Sequence, residues 1–322
     1  MTREITIKVL LNEDEQGNWN LMNKPLHGVF TVLSTPFTSD DSIDHEVLKK
    51  EIEWLIDSKV DGFVLAMVSE VLRLAAHERR ELAQSVISSA KGRVPLVTSV
   101  GAESTKIATQ LAQWAQEDGA AAVMATPPSA FAPLSSEVAK YYISIIESVS
   151  IPVIVQDASN YVGHPLEISL YVDLIDKYGE DRVQFKPEAK PVAERLQQLK
   201  DASGARARVF EGQGGADLMD TYPIGVVGTM PGAEIPWGLV ALWNALESGD
   251  MKRAAEIHAP IAKMVSHQTT LDSYVAVEKY LLVKQGIFTN ARQRGPVSFI
   301  LDNSVTDVID AAYADLERLV KR

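Results

Sequence analysis

From position 27 onward, apolar runs of four to six residues recur along the chain. Each is followed by a turn rich in Gly, Pro, Ser or Asp, and then by a stretch whose apolar positions return at three and four. The runs cover 29–34, 62–67, 95–100, 121–125, 152–156, 183–186, 207–211 and 224–228. Continuous apolarity of this length, bounded by turns, suits a strand buried on both faces. The intervening helices are expected near 44–58, 77–91, 104–118, 136–148, 167–178, 191–201 and 214–222. Strands alternating with helices imply parallel pairing through right-handed crossovers, and eight such units close a barrel. The pattern therefore predicts an α/β chain with a (β/α)8 TIM barrel over 27–247. A doubly wound open sheet is the competitor, but it would carry a Gly-rich dinucleotide turn after the first strand. Ser34-Thr35-Pro36-Phe37 stands there instead.

After the eighth run the alternation stops, and only helical periodicity remains, at 251–265, 270–286 and 305–320. Residues 248–322 are read as C-terminal helices packed on the barrel, since no Pro-, Gly- or Ser-rich linker separates them. Residues 1–26 alternate a short β-like run, 5–11, with a polar turn, 12–18, and read as a short N-terminal arm.

Composition narrows the function. The 322 residues carry a net charge of −12 and a mean hydropathy of −0.02. That balance argues against a nucleic-acid partner, which needs clustered Lys and Arg. Cysteine is absent, which excludes thiolate nucleophiles, thiolate metal sites and disulfides. No apolar run approaches the roughly 18 residues of a membrane span, and no signal-peptide pattern opens the chain, so no membrane partner and a cytoplasmic location are expected.

In a (β/α)8 barrel the chemistry sits where the strands end. The residues closing the runs are Thr35, Ser69-Glu70, Thr98-Ser99, Thr126-Pro127, Gln156-Asp157, Lys186-Pro187-Glu188, Glu211-Gly212 and Gly228-Thr229. This is a polar ring with one lysine. Pro187 has no N–H to donate and ends the pairing, which leaves Lys186 at an element boundary. An amine held among apolar walls loses hydration, and its neutral, nucleophilic form is favoured. Glu188 follows at the strand period and can share its side. None of the six histidines, at 27, 45, 77, 164, 258 and 267, closes a run, so no metal site is expected. The Gly-x-Ser-x-Gly elbow of serine hydrolases is also missing. What remains is amine chemistry: a lysine condensing with a ketone to give an iminium, with carboxylates and hydroxyls moving protons.

These residues resemble the dihydrodipicolinate synthase and N-acetylneuraminate lyase superfamily of Schiff-base barrels, over roughly 27–300. The marks are Thr35-Pro36-Phe37 with Asp44; Ser69-Glu70 with Leu74 and Glu78-Arg79; Gly101 with Ser104-Thr105; Thr126-Pro127; and Phe185-Lys186. The resemblance implies that Lys186 is the Schiff-base residue, that the substrate is a small 2-oxo acid needing no cofactor, and that the chain is a homo-oligomer, a tetramer. It also implies substrate-binding positions at Thr35, Ser69, Glu70, Gln156, Asp157, Gly212 and Gly228. For Glu70 a loop-anchoring role competes with substrate binding.

The chain departs from the family at two places. The carboxylate-gripping loop, usually Gly-Thr-Thr-Gly-Glu or Gly-Ser-Thr-Gly-Glu, reads Ala66-Met67-Val68-Ser69-Glu70, with Ser69 its only hydroxyl. The tyrosine pair that usually follows Thr-Pro is replaced by Pro128-Ser129, and the usual Tyr-Asn after the fifth strand by Gln156-Asp157. Tyr141 and Tyr142 fall on the next helix, where packing is expected. The proton relay then passes to Glu188, with Ser129 acting through water and Asp157 as the other candidates. The resemblance points to a lyase that dehydrates a 2-keto-3-deoxy sugar acid. A pyruvate-dependent aldolase or a dihydrodipicolinate synthase-type condensation is the alternative, and a binding or regulatory barrel without turnover is the alternative from another class.

Overall fold

The computed structural model describes residues 25–321, so most of the segment read as an N-terminal arm lies outside the described residues. Eight short parallel strands form the barrel: β1 (Gly28–Val32), β2 (Gly62–Leu65), β3 (Leu96–Ser99), β4 (Ala122–Ala125), β5 (Val153–Asp157), β6 (Val183–Pro187), β7 (Phe210–Glu211) and β8 (Gly228–Thr229). They are ordered β6-β5-β4-β3-β2-β1-β8-β7. The ring closes where Phe185 bridges Val209 and the Phe185 amide donates to the Arg208 carbonyl at 2.9 Å. This is the (β/α)8 barrel expected from the alternation.

The strand period sorts the side chains. Phe30, Val32, Val64, Ala66, Val97, Ala122, Met124, Ile154, Phe210 and Met230 fill the interior. Their neighbours Val29, Val123, Val153, Val155, Val183 and Phe185 face the helices. On β6 the parity that sends Val183 and Phe185 outward turns Lys186 toward the chamber at the barrel mouth.

The surrounding helices follow the expected stretches within a few residues: α1 (His45–Asp57), α2 (Ala76–Ala90), α3 (Thr105–Glu117), α4 (Ser135–Ser148), α5 (Ile168–Tyr178) and α6 (Val192–Ala202). Capping explains one start: the Asp44 carboxylate accepts from the Val47 amide at 3.1 Å, satisfying an end amide that has no helical partner.

The seventh and eighth units differ from expectation. The helix anticipated at 214–222 is a single α-turn, α7 (Leu218–Thr221), followed by a 3-10 turn, Tyr222–Ile224, and β8 starts at Gly228 rather than ending there. A further helix, α8 (Pro236–Glu247), completes the unit. Seven of its twelve residues are buried, so its sequence carries little polar alternation for a periodicity reading to detect. The C-terminal helices are α9 (Met251–Val265), α10 (Leu271–Lys284) and α11 (Asn303–Val320). One continuous core joins Leu239, Leu242 and Trp243 of α8 to Ile257 and Ile261 of α9 and to Ala312 and Leu316 of α11. Among the described residues, no helix is long and apolar enough to cross a membrane.

Candidate active site

The C-terminal ends of the strands surround a narrow chamber of about 30 Å³, lined by Lys186, Glu188, Gln156, Gly212, the Ala66-Met67-Val68 turn, Tyr161 and Tyr274, among others. A larger groove of about 270 Å³ lies between α4 and α5, but its walls are mainly Pro127, Pro133, Pro165, Val138 and Leu170, and it is lined by no lysine. The Lys186 and Glu188 side chains open on the smaller chamber.

Lys186 and Glu188 are each other's nearest charged partners. Both side chains are buried, and Lys186 Nζ lies 3.0 Å from Glu188 Oε1. Gln156 Nε2, from the adjacent strand β5, donates to Glu188 Oε2 at 2.7 Å and fixes the carboxyl plane. Burial pushes the Glu188 carboxyl above its ordinary range even though the Lys186 ammonium opposes the shift. A carboxyl poised in this way can accept a proton from the neighbouring ammonium and return it later. Gly212 makes the arrangement possible: a Cβ there would stand 2.9 Å from Lys186 Cε and 2.8 Å from Glu188 Cγ.

Thr35, Ser69 and Glu70 hold loops together. Thr35 Oγ1 donates to the Ser69 carbonyl at 2.6 Å, while Ser69 Oγ donates to the Leu33 carbonyl at 2.5 Å and accepts from the Ala66 amide at 3.1 Å. The Ser69 hydroxyl is thus engaged within the fold. Glu70 takes a left-handed backbone, φ 57°, and its carboxylate meets Lys279 Nζ at 2.5 Å and the Arg294 amide at 2.9 Å. Those contacts tie the loop after β2 to α10 and to the segment before α11.

Asp157 is equally occupied. Its carboxylate accepts from the Ser159 and Leu166 amides at 3.1 and 2.8 Å and from the Tyr171 hydroxyl at 3.4 Å, which shapes the loop after β5. Ser129 lies outside the chamber, its hydroxyl 3.1 Å from Glu103 Oε1. Gly228 pairs with Gly28 at the opposite end of β8, where a Cβ would press on the Phe210 ring at 2.7 Å. Met230 and Gly232 line the mouth instead. Tyr141 and Tyr142 are buried on α4, their hydroxyls donating to the Thr126 and Ala125 carbonyls at 3.2 Å each.

Two aromatic residues of the chamber had no place in the sequence reading. Tyr161, four residues past the end of β5, meets Tyr274 of α10 edge to face, with ring centroids 6.5 Å apart. Burial raises the hydroxyl pKa of both. Tyr161 was within reach of sequence reasoning, because loops after barrel strands face the mouth. Tyr274 comes from a helix more than a hundred residues along the chain and is placed only by tertiary packing.

Glu211, at the end of β7, is fully enclosed and pushed by burial up to about 7. It accepts from the Gln213 and Gly215 amides at 2.7 and 3.1 Å and from the Thr229 hydroxyl at 2.5 Å, and so shapes the glycine-rich segment beside Lys186. Among the described residues, no group of three or more His, Cys, Asp or Glu is placed to hold a metal ion.

This arrangement can be set beside known proteins. The chain is 26% identical over 279 residues to an L-2-keto-3-deoxyarabonate dehydratase of Azospirillum brasilense, a match that spans 85% of this chain and 89% of that protein. It is 25% identical over 268 residues to a probable 2-dehydro-3-deoxy-D-pentonate aldolase of Escherichia coli, with 82% and 89% covered. In fold it is similar to the 4-hydroxy-tetrahydrodipicolinate synthase of Methylacidiphilum fumariolicum, with a TM-score of 0.84, 20% identity, and 92% and 97% of the two chains covered. The model of the dihydrodipicolinate synthetase family matches residues 25–313, nearly the whole described chain, and the protein is therefore a member of that family of lyases.

Proposed function

We propose that the protein is a Schiff-base-forming lyase that dehydrates a 2-keto-3-deoxy sugar acid. The observation that carries this reading is the buried Lys186–Glu188 pair at 3.0 Å, braced by Gln156 at the mouth of the barrel. In the proposed cycle Glu188 takes a proton from the Lys186 ammonium. The free amine adds to C2 of the 2-oxo acid, and Glu188 returns its proton to the leaving oxygen, so that loss of water gives an iminium and an ionised Glu188. Glu188 then removes a C3 proton, the electron pair passing to the iminium as an enamine. The enamine expels the C4 hydroxyl, which takes the proton Glu188 removed from C3 and leaves as water, and hydrolysis of the resulting unsaturated iminium frees the lysine. With the Ser69 hydroxyl bonded to Leu33 and the Ala66 amide to Ser69, the substrate carboxylate falls to the backbone amides of Met67 and Val68.

The name of the Azospirillum relative supports the dehydratase, and that of the Escherichia relative supports an aldolase as the second reading. Borohydride trapping with pyruvate and with a 2-keto-3-deoxy aldonic acid, read by intact mass, tests the covalent step. The wild type should gain the reduced adduct and Lys186→Ala should not. No adduct on the wild type refutes the lyase, and an adduct on Lys186→Ala refutes the choice of lysine. Product analysis separates the two reactions, because a dehydration keeps every carbon in one product whereas an aldol cleavage releases pyruvate. The tetramer belongs to the same reading and is measured by light scattering.

A further inference from the structure

On the side of the chamber away from β6 the wall is Gly232, and behind it stand two carboxyls that the proposed cycle does not use. A Cβ at position 232 would lie 3.3 Å from Glu234 Cδ and 3.4 Å from Glu278 Cδ, and would collide with Glu234 Oε2. The absence of a side chain is what brings these acids up to the chamber wall.

Their hydrogen bonding is half complete. Glu234 Oε1 accepts from Gln268 Nε2 at 2.8 Å, and Glu278 Oε1 accepts from the Ala233 amide at 2.8 Å. Among the described residues, Glu234 Oε2, Glu278 Oε2 and Gln268 Oε1 have no partner, although Glu234 and Gln268 are each only 4% exposed and Glu278 is fully enclosed. Buried polar atoms are ordinarily paired, so two acids with unpaired oxygens directly behind the chamber wall call for a ligand.

The type of ligand follows from charge. Lys279, the ammonium beside Glu278, is committed to Glu70 at 2.5 Å and to the Arg292 carbonyl at 2.6 Å, which leaves Glu234 and Glu278 without a cation of their own among the described residues. Burial raises both carboxyls, and Glu234 further opposes ionisation of Glu278. A neutral carboxylic acid offers an O–H donor and an acceptor together, which matches an alcohol hydroxyl.

We propose that Glu234, with Glu278 and Gln268 behind Gly232, is a specificity site for the distal hydroxyls of a polyhydroxylated 2-oxo acid whose keto carbon is held by Lys186. The inference rests on the Schiff-base reading of Lys186 and adds the residues that would recognise the rest of the substrate. A site built to bond a hydroxyl discriminates against analogues lacking it, because its own polar groups are then left unpaired.

The test compares two probes on one readout. The half-saturating concentration for borohydride-trapped adduct is measured for pyruvate, which has no tail, and for a six-carbon 2-keto-3-deoxy aldonic acid. The wild type should require less of the hydroxylated acid. Glu234→Met removes the hydrogen-bonding atoms, and Gly232→Ala places a methyl group between the chamber and the carboxyls and pushes the Glu234 carboxyl back without deleting it. In each, the ratio of the hydroxylated acid's half-saturation to that of pyruvate should rise about tenfold, the effect of losing one buried hydrogen bond. If Glu234→Met does not fold, Gly232→Ala decides. An unchanged ratio overturns the proposal, as does a wild type that prefers pyruvate or binds a 2-oxo acid with a terminal ammonium more tightly than the hydroxylated one. No adduct with either probe on the wild type is a different failure, since it removes the Schiff-base reading itself.

Discussion

Glu51 offers the sharpest quantitative test of the electrostatics beneath the site. It lies on α1, fully buried, with Oε1 accepting the Ser34 amide at 2.9 Å and Oε2 unpartnered. The groups around it are Lys279, whose charge favours its ionisation, and Glu278, with which it repels. Burial outweighs the rest and raises the carboxyl from 4.5 to about 8. A carboxyl whose folded pKa lies above the unfolded one keeps its proton in the native state while the unfolded chain releases it. Stability therefore falls as pH rises from about 4.5 to about 8 and is level beyond. At about 1.4 kcal/mol per pH unit, the whole window corresponds to roughly 5 kcal/mol at this one position.

Glu51→Gln should remove that dependence, because the amide oxygen can still accept from Ser34 and nothing titrates. The assay is urea denaturation of wild type and variant at pH 5, 6, 7 and 8. The stability of the variant relative to wild type should climb by roughly 3–5 kcal/mol between the two ends. At pH 5 the variant should be the weaker by about 1–3 kcal/mol, since its NH2 group is buried without an acceptor. A difference that stays flat across the four pH values would refute the reasoning, and with it the picture of uncompensated acids behind the barrel mouth.

Three further outcomes follow from the geometry. Gly212→Ala sets a methyl group 2.9 Å from Lys186 Cε, and should slow adduct formation by about 10²-fold with the melting transition preserved, as checked by trapping rate and circular dichroism. Ser129→Ala removes a contact to Glu103 outside the chamber, and should leave kcat within about threefold, whereas a general acid or base would cost about 10²-fold or more. Lys279→Met leaves the Glu70 carboxylate enclosed without its ammonium, and should lower the unfolding free energy by about 3–5 kcal/mol, most of it recovered in the double variant Glu70→Gln/Lys279→Met.

Much of the barrel was legible in the chain because its determinants are local. A strand covered on both faces needs an unbroken apolar run, and a helix packed on one side needs apolar positions at three and four, so the first six units could be located to within a few residues. The eighth unit was harder to read for the same reason. With α8 buried on most sides and β8 two residues long, neither leaves a periodic signal.

The site divides along a similar line. That Lys186 and Glu188 share a side is fixed by the two-residue period of a strand, and their 3.0 Å pair is the spatial expression of that spacing. Thr35, Ser69, Glu70 and Asp157 stand at strand ends as the sequence places them, but the direction of their hydrogen bonds depends on neighbours from other loops: Leu33 for Ser69, Lys279 for Glu70, Leu166 for Asp157. Ser129 sits in the loop after β4 and turns to Glu103, and Gly228 begins the strand it was expected to end.

By itself, then, the sequence determined the repeating unit, the barrel, and the lysine–glutamate pair at one strand end, all of which depend on residues a few positions apart. Only the tertiary structure decided what surrounds that pair. Tyr161 and Tyr274 meet across the chamber from different parts of the chain, and Glu234, Gln268 and Glu278 converge behind a glycine. Tyr274 and Glu278 stand one turn apart on α10, but their spacing from Tyr161, Glu234 and Gln268 follows no helical or strand period, and the groups meet because α10 packs against the mouth of the barrel.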